Sequence, residues 1–254
     1  MTILRRRRRG LTLIELLVVL FILAAIAGVA VGTVSNFQKK THGSTSANSL
    51  RSADQAISAE LITAGRLGNN LDALITAGGI VPDYVANSNG LVPFTLNAGV
   101  ADALGELGIT TLHPAAADTL VALAGNATLE GHSYGATIDV SAATDDVAAL
   151  AAAAVTQTEG NFNFATGQFD QIFAFGLGER STLVGLNRAF KEAPLHTPGE
   201  GSAATTYGRY VLLVGYEGDA VSGEATYIGV VCIDDGENFN NVNRNLGEFF
   251  EAND

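Results

Sequence analysis

This chain is short of basic residues beside its acids, and it has a single cysteine. Its 254 residues include 14 Lys or Arg against 26 Asp or Glu, a formal net charge of −12. Nucleic-acid binding wants a clustered basic face on the folded domain, so this balance argues against it. An acidic surface suits a domain held in water. The single cysteine, Cys232, leaves no intramolecular disulfide to form. It lies in Tyr227-Ile-Gly-Val-Val-Cys-Ile233, an apolar strand-like run, and reads as a buried small hydrophobe rather than a reactive thiol. Catalytic patterns are missing too. The four histidines, His42, His113, His132 and His196, share no ligand spacing and read as solvated loop residues. Gly176-Leu-Gly178 lacks the remaining glycines and the strand–helix setting of a phosphate-binding turn. No serine sits in a Gly-x-Ser-x-Gly elbow. The chain is therefore read as non-enzymatic, with no cofactor.

What is there begins at the N-terminus. Five consecutive arginines, Arg5 to Arg9, run into Gly10 and Leu11-Thr-Leu-Ile-Glu15, then into an almost unbroken apolar stretch ending at Val34. Cationic flanks of a hydrophobic span stay on the cytoplasmic side. A bilayer-crossing helix needs about 20 apolar residues, and 11–34 supplies them. One carboxylate, Glu15, interrupts the stretch. An ionised side chain within a membrane helix costs about 2.5–3.5 kcal/mol on insertion scales, which makes this acid a functional candidate.

The arginine-rich leader, Gly10, and Leu11-Thr-Leu-Ile-Glu-Leu-Leu-Val-Val-Leu20 resemble the prepilin leader of type IV pilins and type II secretion pseudopilins. The resemblance covers about residues 5–34. It implies cleavage between Gly10 and Leu11 by a prepilin peptidase and N-methylation of the Leu11 amine. It puts Glu15 at the fifth mature position, where the family carries its glutamate. It also implies an assembly ATPase, an inner-membrane platform protein and other pilin-like subunits as partners. Two departures stand out. Leu11 replaces the usual phenylalanine, and Gly32 stands where many members bend the helix with proline. Many members also close a C-terminal loop with a disulfide, which one cysteine cannot do. Loss of Arg5 to Arg9 takes the basic residues from 14 to 9 against 26 acids, leaving a mature net charge of −17.

The residues give Glu15 a physical role beside that resemblance. The new amine lies four residues before the acid on one rising axis and cannot easily reach it. A neighbouring copy displaced along the axis can, and an opposite charge offsets the burial of a carboxylate. A second reading has Glu15 snorkelling to the nearby headgroups. An ordinary secretory signal peptide also begins with a basic region and an apolar run, with Ala30-Val-Gly32 as a cleavage site. The span is longer than such a run, however, and a signal peptide has no use for Glu15. A twin-arginine address is weaker still.

Four segments follow: leader 1–10, membrane or filament-core helix 11–34, an amphipathic continuation 35–65, and a globular head 66–254. The continuation rests on Ala47, Leu50, Ile57, Leu61 and Ala64 at helical spacing, with Gly65 as its C-cap. In the head, Leu71–Gly79, Ala101–Leu107, Ala115–Ala124 and Asp145–Val155 read as short helices, the last from its alanine run. The stretch between Gly90 and Gly135 reads as loop-rich. Asn161–Ala165 and Gln171–Phe175 flank the turn Thr166-Gly-Gln168 and read as a hairpin. Arg209–Tyr216 and Ala225–Ile233, apolar on both faces, read as central strands joined by Glu217–Glu224. Phe239, Val242, Leu246, Phe249 and Phe250 suggest a final amphipathic helix. The expected fold is α+β: a long N-terminal hydrophobic helix packed on a head with an antiparallel sheet and short helices. Asp234, Asp235 and Glu237 form the best acidic cluster and the only weak calcium candidates; their spacing matches no calcium loop, and Asp235 serves equally as a helix cap.

Three functional classes follow from these features: a filament subunit, a minor tip subunit acting as adhesin, and a secreted or tethered enzyme. The first is favoured and the third least supported.

Overall fold

A computed structural model describes residues 14, 16–21, 48–82, 85, 90–115, 137–194 and 207–232. The chain divides into two compact units, 1–42 and 43–254. In the first, Ile14 and the residues from Leu16 to Phe21 are helical.

The second unit opens with helix α1, residues 48–64. Ile57 of the stripe read from the sequence is buried and Leu50 and Leu61 are partly buried, with Ala53 buried beside them; Ala64 at its end is exposed, and Ala47 lies outside the described residues. The helix stops where a left-handed residue is needed. Gly65 takes φ +67 and its N–H donates to the Leu61 carbonyl at 2.8 Å, the C-cap expected of it.

Among the described residues eight strands follow: β1 (Leu71–Asp72), β2 (Leu91–Thr95), β3 (Thr111–His113), β4 (Ile138–Asp139), β5 (Asp146–Leu150), β6 (Gln171–Gly176), β7 (Tyr210–Gly218) and β8 (Gly223–Cys232). Helices α2 (Ala98–Glu106) and α3 (Ala152–Asn161) lie between them. The strands make one sheet that forks at β6. On one side β6 pairs along its whole length with β7, which pairs with β8. Its other side is shared. Phe173 meets Ala149 of β5, and Gly176 meets Asp72 of β1. One branch runs β5–β2, the other β1–β3–β4. All pairs are antiparallel except β1 with β3. The α+β expectation holds, with a mixed sheet in place of a purely antiparallel one.

The core sits on the trunk of the fork. Ile172 to Phe175 of β6 and Val211 to Val214 of β7 are fully buried, as strands apolar on both faces must be. β7 and β8 form the expected hairpin, and its turn shrinks to residues 219–222 because pairing continues through Glu217↔Glu224 to Gly218↔Gly223. Cys232 ends β8 as a free, buried thiol.

Several local expectations are overturned. The alanine run is not wholly helix: Asp146–Leu150 is a strand, and α3 begins only at Ala152. Alanine's helical preference over strand formers is below about 1 kcal/mol per residue. Val147 to Leu150 are instead buried between β2 and β6, and Phe94 packs edge-on to Phe173 at 5.3 Å across the layer that small alanines leave room for. The segment Leu71–Gly79 is β1 and turns, not a helix. Asn69 Oδ1 accepts from the N–H groups of Thr110 and Thr111, which draws β1 alongside β3, while Asn70 and Leu74 take positive φ. No hairpin joins Asn161–Ala165 to β6; Asn161 ends α3, and Glu159 accepts from the N–H groups of Gly167 and Phe169, both at 2.8 Å, folding the turn onto the helix. The helix read over Ala101–Leu107 is present as α2, and the region after Gly90, read as loop-rich, also holds the strands β2 and β3. The helix read over Ala115–Ala124 lies outside the described residues beyond Ala115, and the final amphipathic helix and Ile233 lie wholly outside them.

Candidate functional site

Seven N-terminal residues are described, and all seven are apolar: Ile14, Leu16, Leu17, Val18, Val19, Leu20 and Phe21. A helix turns 100° per residue, so the six consecutive ones sweep its whole circumference. Each is at least half exposed, from 50 % at Val18 to 74 % at Phe21. Fully burying one such side chain is worth about 1.5–3 kcal/mol, so covering all seven releases on the order of 10 kcal/mol. A helix apolar in every direction is an element built to be covered, by lipid or by other protein. Among the described residues no helix is long and apolar enough to cross a membrane. Gly10 and Leu11, expected from the sequence to flank a processing site, and Glu15, expected to act in assembly, lie outside the described residues.

The head carries a polar cluster that sequence reading missed. Asp72, at the end of β1, is buried, and its Oδ2 accepts from the Tyr207 hydroxyl at 2.7 Å. His113, opposite Asp72 in the β1–β3 register, is also buried, with Arg180 Nη1 3.3 Å from its Nδ1. It is not the solvated loop histidine expected. Buried Arg209 donates to Glu179 Oε1 at 3.0 Å and to the Ala193 carbonyl. These contacts tie β1, β3, the loop after β6 and the entry to β7 where the fork closes. The glycines of Gly176-Leu-Gly178, which make no phosphate-binding turn, are what admit them. A Cβ on Gly178 would stand 2.5 Å from both Asp72 carboxylate oxygens, and one on Gly176 would strike the Tyr207 hydroxyl. The cluster contains no serine or cysteine nucleophile, and its bonds act as struts.

A second strut joins α1 to the sheet. The Tyr227 hydroxyl of β8 donates to Asp54 Oδ1 at 2.7 Å. Burial, then the neighbouring Asp54 charge, push the Tyr227 pKa far above its ordinary value, so the phenol keeps its proton. Among the described residues no His, Cys, Asp or Glu group of three could hold a metal. Asp234, Asp235 and Glu237, together with His42, His132 and His196, lie outside the described residues.

A basic leader followed by exposed apolar helical residues is the pattern at the N-terminus of this chain. Residues 5–31 match the profile of the prokaryotic N-terminal methylation motif. The chain thus carries the prepilin-type cleavage and methylation signal of type IV pilins and pseudopilins. That signal implies processing by a prepilin peptidase and assembly with other pilin-like subunits, and it fits a membrane-anchored pilin. No curated protein and no solved structure shows a significant match to the chain.

Proposed function

We propose that this chain is a non-catalytic structural subunit of a type IV pilus-like or type II secretion pseudopilus filament. It inserts in the inner membrane with its leader cytoplasmic and its head outside, held by 11–34 as a single span. The peptidase cuts between Gly10 and Leu11, and Leu11 is methylated. An assembly ATPase and a platform protein then move the subunit into a filament. Lipid and a filament core are both apolar, so the apolar helix exchanges one for the other at little net cost, and packing decides the outcome. The pairing of Glu15 with the Leu11 amine of a neighbouring copy sets the register.

The motif match over residues 5–31 is the observation that supports this reading. Mass spectrometry of the mature N-terminus tests it. A chain beginning at methylated Leu11 is the expected result; one trimmed beyond Gly32 has lost the segment that assembles and overturns it. A minor tip subunit is the second reading, favoured by a head of residues 66–254 that exceeds what a simple major subunit needs. Copy number separates the two: abundance in purified filaments marks the major subunit, trace amounts the tip.

A further inference from the structure

Helix α2, whose own charged residues are Asp102 and Glu106, has an acidic turn packed at one end and an arginine-lined cleft at the other. At its N-terminal end the Gly99 N–H donates to the Ala220 carbonyl, and Gly99 has no room for a Cβ against Asp219 and Ser222. The β7–β8 turn is thereby clamped to the start of the helix. The turn is rigid: Asp219 Oδ1 accepts from the N–H groups of Val221 and Ser222, and the Tyr216 hydroxyl donates within it to the Asp219 carbonyl. Four exposed carboxylates crowd there, Asp170, Glu217, Asp219 and Glu224. Glu217 and Glu224 stand directly opposite in the ladder, an arrangement that like charges destabilise. Among the described residues none of the four has an ion-pair partner. Val221, at the tip, is 76 % exposed.

At the other end, Gly105 and Gly108 border a cleft of about 420 Å³ between the ends of α1 and α2. Its wall is polar, with Arg66, Arg188, Thr110 and Thr182. Glu60 is the one carboxylate lining it, and it lies 3.7 Å from Arg188. Arg66, folded over Gly108, has no carboxylate partner among the described residues, so the cleft keeps a positive charge. It is an island on a chain whose mature net charge is −17, with two of nine basic residues in it.

Cleft and turn are about 13 Å apart along the nine residues of α2, so one molecule cannot close the contact on itself. We propose that the Arg66–Arg188 cleft of one copy receives the β7–β8 turn of the next. Such a contact uses two different patches, and repetition of it gives an open helical array rather than a closed dimer. Arg66 and Arg188 meet Glu217 and Glu224, and Val221 enters between them. The inference rests on the filament reading for its supply of aligned copies.

Cysteine pairing in the full-length chain tests it. Ala64, exposed on the cleft rim, and Val221 are replaced together (Ala64→Cys, Val221→Cys), and membranes and sheared filaments are oxidised. Cys232 is buried and stays. A ladder of dimers, trimers and longer species is expected from the double variant and from neither single one. Adding Arg66→Glu and Arg188→Glu should lower the ladder about tenfold, and adding Glu217→Arg and Glu224→Arg should restore it. A misfolded cleft would not be rescued from the far end of α2. Absence of the ladder from both fractions, or its indifference to the charge reversals, overturns the contact whether or not filaments form. A ladder without filaments would instead remove the filament reading and leave the contact standing.

Discussion

Asp54 of α1 and Tyr227 of β8 share a 2.7 Å hydrogen bond that links the first helix of the head to the last described strand. The two residues are 173 positions apart. Replacing Tyr227 by Phe keeps the ring and removes the donor. Asp54 then loses a partner in a half-buried site, a change worth about 1–2 kcal/mol. Denaturant unfolding of the solubilised chain should show that loss, with the slope m unchanged.

The same tyrosine makes stability fall in alkali. Burial raises the pKa of Tyr227, and burial likewise heads the causes that raise Tyr210 and Tyr216. The folded state therefore holds these protons more tightly than the unfolded chain, whose tyrosines titrate near pH 10. Their contribution is complete below about pH 10 and is lost as the pH climbs past it. Unfolding midpoints measured from pH 8 to pH 11 should be level and then drop, and Tyr227→Phe should soften the drop. A midpoint unmoved at pH 11 would contradict the assignment.

Two glycine substitutions should differ in kind. Gly65→Ala meets open space and only the strain of φ +67, about 1 kcal/mol. Gly178→Ala drives a methyl against the Asp72 carboxylate at 2.5 Å and should cost about 3 kcal/mol. Thermal unfolding of the pair is the check, and equal losses would mean that the glycine is not what admits Asp72.

Glu15→Leu removes the acid and keeps the apolar helix. If Glu15 meets a neighbour's amine, cleavage after Gly10 should be unaffected while the filament fraction falls about tenfold against the membrane pool. Immunoblots of sheared and membrane fractions measure the ratio. An unchanged ratio would leave the acid as a tolerated passenger near the headgroups.

The legible parts of this chain were those written locally. The stripe Leu50–Ile57–Leu61 and Gly65 sit within one helix, so spacing alone placed its buried face and its end. The Arg5–Gly10–Glu15 junction is equally local, and the profile match over 5–31 covers it. The two-faced apolar run of β7 announced half of the trunk, but β8, read as a central strand as well, pairs with β7 alone among the described strands and is exposed or half-buried from Gly223 to Ile228. What escaped depends on distant partners. Ala148 and Ala149 become strand because β2 and β6 flank them, against their own preference. Asp72 and Tyr207 are 135 residues apart, and no window of sequence contains both. Gly176 and Gly178 carry no signal of their own in the sequence; the Tyr207 hydroxyl beside the first and the Asp72 carboxylate beside the second are what leave no room for a side chain.

The fork at β6 sets an order of events. A chain delivered from its N-terminus presents β1 to β5 before the strand that joins the two branches exists, so neither branch has a home until residue 176 has emerged. Release short of that point leaves the β5–β2 and β1–β3–β4 branches without the strand that joins them. Completion of the trunk is then a checkpoint: the two branches become one sheet only after the last third of the chain has begun to arrive.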